Sequence, residues 1–471
     1  MTLQESPATT SRAAEPITNP EPARAGPSLK ALAIRGSLWT FAGYGASMVL
    51  RLGSSMVMTR LLFPEAFGLM TMVGVVLYGL EMMSDLGIGP TIIFDPRGDD
   101  PRFLDTAWTV QIARGIALWA IACAISWPAA AFYREPRLRA LISVAALSAV
   151  LSGFTSTRIH TARRGLALGK LTAIDLFSQA SAIAVSVVCA LHWRSVWALV
   201  AGGLTSPALR LVLSHTYLPG ARNRFHWDAE SARVLRGYGK WIYLSSILFF
   251  VAMQGDRLMV GRLLSMTALG IYAIAMSLVE PLVNLNLQVW RSVMLPALSR
   301  VYRETPARFS EVFYRGRLRT DLLFAAGSGA VMLLGTWIVG FLYDPRYAAA
   351  GALLQIVALR GFLSAIAESL EQCLSAMRLP KYVTISHVGR TAWILAGIPL
   401  GWHLAGLKGI AMAAATSELP VVLTFWFLLG RMRVARLRYE VRTFAFGACG
   451  LAVGAFLAAI IPATWHVTKP W

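Results

Sequence analysis

The sequence predicts an all-α polytopic membrane protein, with two six-helix lobes standing as parallel repeats and about 12 to 13 transmembrane helices in all. Three observations lead there. The chain has 471 residues, 56% of them hydrophobic and only 14% charged, with a mean hydropathy of +0.57. Soluble domains average about 45–50% apolar and about 25% charged, so the bilayer is the expected solvent. Apolar stretches long enough to cross it recur along the whole chain, and the sequence matches itself at a fixed offset.

Crossing the hydrocarbon core takes about 20 mostly apolar residues. In the first half such stretches fall near 38–62, 67–93, 104–131, 137–157, 171–193 and 195–217. In the second half they fall near 241–262, 268–298, 320–343, 347–377, 382–404, 407–430 and 443–463. Residues 1–28 hold Pro7, Pro16, Pro20, Pro22 and Pro27 and no apolar core, which predicts a disordered cytoplasmic tail rather than a signal peptide.

Forty-four Lys and Arg against 24 Asp and Glu give a net charge of +20. In a soluble chain that charge would suggest nucleic acid. Here it sorts by side. If residue 1 starts inside, the inside segments carry a roughly threefold excess of Lys and Arg over the outside ones, the pattern that sets membrane orientation. This predicts a cytoplasmic N-terminus, with basic loops at 219–240, 299–319 and 431–442 inside and no nucleic-acid partner. Cys123, Cys189, Cys373 and Cys449 lie singly in apolar stretches, so neither a disulfide framework nor a metal site is expected. No complete phosphate-binding loop accompanies the Gly-Lys pairs at Gly169 and Gly239, which argues against an ATP-driven pump.

An offset of 202 residues pairs Trp39 with Trp241, Val49 with Val251, Gly53 with Gly255 and Arg60-Leu61-Leu62 with Arg262-Leu263-Leu264. Ala66 with Ala268 and Gly68 with Gly270 follow without a gap. Six spans separate the copies, so both begin on the same side, as parallel repeats do. The expected organisation is a tail at 1–28, an N-terminal lobe at 29–217 and a basic linker at 218–240. A C-terminal lobe at 241–432 and an extra helix and tail at 433–471 complete it. A substrate cavity is expected between the lobes, with access alternating as they rock.

Gly255-Asp256-Arg257-Leu258-Met259-Val260-Gly261-Arg262-Leu263-Leu264, followed by Leu269-Gly270-Ile271-Tyr272, resembles the opening of the second lobe in Wzx-type polysaccharide flippases. Ser84-Asp85-Leu86-Gly87-Ile88-Gly89 resembles the matching signature of the first lobe. These flippases belong to the multidrug, oligosaccharidyl-lipid and polysaccharide exporter superfamily. The resemblance covers roughly residues 30–435. It implies a V-shaped pair of six-helix bundles in the bacterial inner membrane and an undecaprenyl diphosphate-linked glycan as cargo. It also suggests membrane lipid, a polysaccharide polymerase and export machinery as partners. A thirteenth span exceeds the family's usual twelve, and Ser54-Ser55 stands where the second copy has Asp256-Arg257.

Arginines within spans are costly, about 2.5–3.5 kcal/mol each at a helix centre, so each must snorkel, pair with an acid or line water. Arg114, Arg210 and Arg291 lie toward span ends and are expected to snorkel. Arg51, Arg360 and Arg390 sit nearer midspan and are the candidate substrate-binding residues, joined by His387 on the same helix face as Arg390. A diphosphate needs such donors, because a guanidinium stays charged at depth and grips phosphate bidentately. The ion-coupling candidates are Glu81, Asp85, Asp256, Glu368 and Glu371. Glu81 with Asp85 and Glu368 with Glu371 share helix faces, as an H+ or Na+ site requires. The alternative is that these acids neutralise arginines, Asp256 with an arginine of another helix and Glu368 with Arg360. No cofactor is expected. A cation-coupled drug antiporter and a membrane polymerase or ligase stand as competing functions. The short outside loops disfavour an enzyme.

Overall fold

A computed structural model of the chain describes residues 29–84, 87–231, 250, 253–432 and 436–460. The tail at 1–28, Asp85, the part of the basic linker at 232–240 and the start of the second repeat, Trp241 included, lie outside the described residues. The described residues form helices joined by short turns, apart from an irregular stretch at 217–228.

In the first half, α1 (Leu29–Leu61) leads into α2 (Pro64–Met83), and a short α3 (Ile88–Phe94) follows. The stretch expected as one span at 67–93 is thus interrupted. Ser84 caps α2, and Gly87 adopts φ +64°, a left-handed conformation open to glycine at little cost. α4 (Pro101–Tyr133) starts under Asp100, whose carboxylate accepts from the Arg102 amide at 3.0 Å. The expected span at 137–157 is α5 (Arg137–Ala145) and α6 (Leu147–Gly153), and α7 (Arg158–Arg164) turns from their course by 59°. α8 (Leu168–Trp193) and α9 (Trp197–Thr216) form a hairpin and pack on each other.

The second half opens with α10, helical over 253–263, then α11 (Met266–Val289), capped by Ser265. A π-turn at Trp290–Met294 carries α11 into α12 (Leu295–Glu304). α13 (Phe309–Leu342) and α14 (Ala349–Ala376) follow. α15 (Pro380–Ala415) holds the stretch expected at 382–404 and, past a break, the start of the one expected at 407–430, which runs on into the next helix. Gly406 takes φ +57° and the chain folds back on itself there. A Cβ built on Gly409 would lie 1.9 Å from the Gly401 carbonyl oxygen, so only glycine permits the return. α16 (Leu419–Arg431) and α17 (Leu437–Ile460) complete the chain.

The extra helix is not a loose appendage. α17 packs along α13, where Gly450 would clash with the Ala326 backbone if it carried a Cβ. A buried polar cluster joins the two. Arg317, fully buried, pairs with Asp321 at 3.2 Å and with Glu440 at 2.6 Å. Tyr314 and Trp426 donate to Glu440 at 2.9 and 2.8 Å, and Thr443 donates to Asp321. Arg317 falls in a segment expected as a cytoplasmic loop. Its charge is compensated, as burial demands.

The two halves meet mainly through α2 and α11. A Cβ on Gly68 would lie 1.8 Å from the Met266 carbonyl oxygen, and one on Gly270 would lie 1.8 Å from that of Pro64. Pro64 and Met266 are 202 residues apart in the sequence, as are Gly68 and Gly270. The contact is therefore reciprocal in the register of the repeat, as a two-fold arrangement of equivalent helices requires.

Candidate functional site

A cavity of about 1130 Å³ lies between the halves. It is bounded by the C-terminal end of α2, the N-terminal half of α4, the α6–α7 break, the C-terminal half of α9 and the first turns of α15. Glu81, Thr384 and Val388 on its wall are exposed, so the cavity is open to the outside of the protein.

Its first wall is polar and basic. Arg114 of α4 donates to the Ser84 hydroxyl at 3.1 and 3.0 Å and to the Glu81 carbonyl at 3.1 Å. The hydrogen-bond partners that hold this guanidinium in place are neutral. Gln111, one turn earlier, donates to the carbonyls of Ser152, Gly153 and Thr155, each at 3.0 Å. Helix ends leave such carbonyls unpaired, and Gln111 lets the α6–α7 break face the cavity with its backbone satisfied. Arg210 of α9 reaches the cavity beside His160 and sits 3.5 Å from Asp175. The His160 ring packs against Gly89, whose missing side chain makes the space.

The second wall is mostly apolar, built from Met253 and from Val388, Ala392 and Leu395 of α15. His387 and Thr391 interrupt it. Nε2 of His387 is 3.3 Å from the Glu371 carboxylate on α14.

The cavity brings together only part of the expected residue set. His387 and Glu81 line it. Arg51, Arg360 and Arg390 are not on its wall. Arg390 is buried and pairs with Glu418 at 3.0 Å, the arrangement that a charge held in a low-dielectric interior requires. Arg51 is exposed and Arg360 half-buried, and neither makes an ion pair among the described residues. The cavity guanidiniums are instead Arg114 and Arg210, the residues expected to snorkel. The acids are also paired differently from expectation. Asp256 accepts from the Tyr272 hydroxyl at 2.7 Å, Arg257 pairs with Glu280, and Glu368 lies 3.8 Å from Arg291 and accepts from Gln372 at 2.8 Å. Asp85 lies outside the described residues. The Ser84-to-Gly89 stretch was the signal that could have located the wall, because Ser84 and Gly89 position Arg114 and His160.

At the other end the halves are clasped. The Tyr347 hydroxyl donates to the Leu62 carbonyl at 2.9 Å, and Arg346 donates to the carbonyls of Arg60 at 2.9 Å and Thr59 at 3.3 Å. Thr59 and Arg60 carry the last carbonyls of α1, unpaired within the helix and attractive to a cation, and Leu62 follows directly. Asp344 holds Arg346 in position at 2.7 Å, and the guanidinium covers the Phe63 ring at 4.7 Å. The Tyr347 ring meets Phe67 edge-on at 5.8 Å. The molecule is thus open at one end of the interface between its halves and shut at the other.

This geometry has known counterparts. The fold is similar to that of the lipid II flippase MurJ in an inward-closed conformation, with a TM-score of 0.65, 11% identity and coverage of 91% of this chain and 100% of that one. It is also similar to an inward-facing MATE-family multidrug resistance transporter, with a TM-score of 0.61, 14% identity and coverage of 82% and 94%. In sequence the chain is 21% identical over 408 residues to the lipopolysaccharide biosynthesis protein WzxC of Escherichia coli (strain K12), covering 85% of this chain and 82% of that protein. It is 26% identical over 263 residues to the amylovoran biosynthesis protein AmsL of Erwinia amylovora, covering 55% and 67%. The model of one family matches residues 57–320. With the paired halves, the open basic cavity and more than half the chain matched, the protein belongs to the polysaccharide biosynthesis protein family.

Proposed function

We propose that this protein is a flippase that carries undecaprenyl diphosphate-linked oligosaccharide repeat units across the bacterial inner membrane for surface or exported polysaccharide. The observation that carries the reading is the basic wall of a cavity open at one end. Arg114 and Arg210 present two guanidiniums to a space of about 1130 Å³ between the halves, and guanidinium is the side chain suited to a diphosphate within a membrane. The apolar α15 wall faces them and would accommodate the start of the polyprenyl chain.

The basic segments orient the molecule with its N-terminus, and hence the cavity mouth, in the cytoplasm, where such units are assembled. The described state is then inward-open. Parting of the Tyr347–Leu62 and Gly68–Gly270 contacts, with closure around α15, would expose the cargo outside. The protein makes and breaks no bond in the cargo, so it is a transporter and not an enzyme. A polymerase and export machinery would take the product. An inward H+ or Na+ flux would drive the cycle, and Glu371 with His387 is the pair through which the second half would sense it, because His387 also lines the cavity.

The test is a deletion strain in which surface polymer and lipid-linked units are followed with a probe confined to the outer face. Polymer loss with unlabelled units accumulating inside supports flipping. Polymer loss with labelled units outside points to polymerisation, and unchanged polymer to drug antiport.

A further inference from the structure

Away from the translocation cavity, at the clasped end of the first half, two recesses adjoin. The α8–α9 hairpin turns through Arg194, Ser195 and Val196 alone, so the turn sits at a membrane face. Between this hairpin and α5 lies a recess of about 510 Å³ walled by Val144, Trp193, Trp197, Val200, Ala201 and Leu204. Its volume falls within the roughly 300–1,000 Å³ typical of ligand sites. Ser195 and Trp197 also border a second recess of about 290 Å³, whose polar wall is Glu65, Arg137 and Arg194.

The charges in the second recess are unequal in their commitments. Arg137 pairs with Glu65 and, at 2.7 Å, with Glu135. Arg194 is exposed, stands in the left-handed region at φ +46° and makes no ion pair among the described residues. Trp193 and Trp197, 58% and 38% exposed, occupy the belt position where indoles meet lipid headgroups. An apolar recess therefore runs to a guanidinium at headgroup depth that makes no ion pair among the described residues.

We propose that this pair of recesses binds an anionic phospholipid, with one acyl chain in the apolar recess and the phosphodiester on Arg194. The solvent at this depth is lipid, which supplies the chain. The free charge selects the headgroup, because a zwitterionic lipid brings an ammonium that offsets its own phosphate. The site is independent of the cargo cavity.

Native mass spectrometry of the full-length protein in detergent tests this, with phosphatidylglycerol and phosphatidylcholine of identical chains supplied in equal amounts. A basic residue near a membrane surface favours anionic lipid by about fivefold, and the wild type should retain phosphatidylglycerol over phosphatidylcholine by that factor. Arg194→Glu should abolish the preference, and the charge-matched Arg222→Glu should leave it intact. Ala201→Trp, which fills the apolar recess without touching charge, should lose both adducts. Equal retention of the two lipids by the wild type would overturn the proposal. So would a preference that survives Arg194→Glu, or adducts that survive Ala201→Trp.

Discussion

Gly68 and Gly270, 202 residues apart in the sequence, face each other's helices so closely that a Cβ on either would lie 1.8 Å from a backbone oxygen of the other. Because the oxygens belong to Met266 and Pro64, themselves one repeat apart, the contact is the two-fold seam of the molecule at its clasped end. Overpacking such a seam costs about 1–3 kcal/mol. Gly68→Leu or Gly270→Leu should therefore open the clasped end. Modification of a cysteine placed at Ser55 by an impermeant thiol reagent added from outside should rise by at least fivefold, and transport should fall.

Tyr347 closes the same end through one hydrogen bond, at 2.9 Å, to the Leu62 carbonyl. Removing the hydroxyl as Tyr347→Phe keeps the ring on Phe67 and deletes about 1 kcal/mol. The open population at that end should rise about fivefold, measured by the same labelling. Expression and thermal stability should stay near wild type, unlike those of the glycine variants.

Arg114→Ala and Arg210→Ala should each reduce export of lipid-linked units by roughly tenfold or more, the scale of a charge-assisted hydrogen bond. Arg114→Lys should recover part of the loss. Arg51→Ala should transport as wild type does, since Arg51 stands outside the cavity. Outer-face labelling of the lipid-linked pool in a deletion strain, normalised to inserted protein, provides the measurement.

Arg390 and Glu418, 3.0 Å apart and both buried, hold each other's charge. Changing either one alone strands the other, at a cost of about 3–5 kcal/mol. The melting temperature in detergent should drop for Arg390→Met and for Glu418→Leu. The double change should recover most of the loss, because the apolar pair leaves no charge to compensate.

Glu135, in the turn before α5, accepts from Arg137 at 2.7 Å, and this bond holds its carboxyl below the usual range. A carboxyl lowered on folding stabilises the protein above its unfolded-state value, and that contribution disappears as pH falls through the folded-state value. The difference in thermal stability between wild type and Glu135→Gln should therefore be present at neutral pH and vanish in acid.

The all-helical, membrane-spanning character and the register in which Gly68 meets the helix of Gly270 were legible because hydropathy and identity are properties of consecutive residues. The fold-back at Gly406 lies between stretches that were separable by composition alone. The pairing of buried charges was not legible. Membrane cost states that Arg390 needs an acid but not which one, and Glu418 reaches it from the turn between α15 and α16. Nor did depth along a span reveal which arginines meet water. Arg114 and Arg210 lie near span ends, yet the halves part at that end, so the cavity wall and the expected snorkelling zone coincide. Arg51 and Arg360, nearer midspan, fall where the cavity does not extend. The interruption at Gly87 was hidden because an apolar run reads as one helix whatever its backbone does.

In the proposed cycle the cargo passes through the cavity between Arg114 and α15. A photoactivatable amino acid placed at Leu118 or Val388, both on the cavity wall, and activated in cells with the polymerase removed, tests it directly. Passage there gives capture of the lipid-linked repeat unit from both positions and none from the same group at Arg51. Capture from Arg51 with none from Leu118 or Val388 would contradict it.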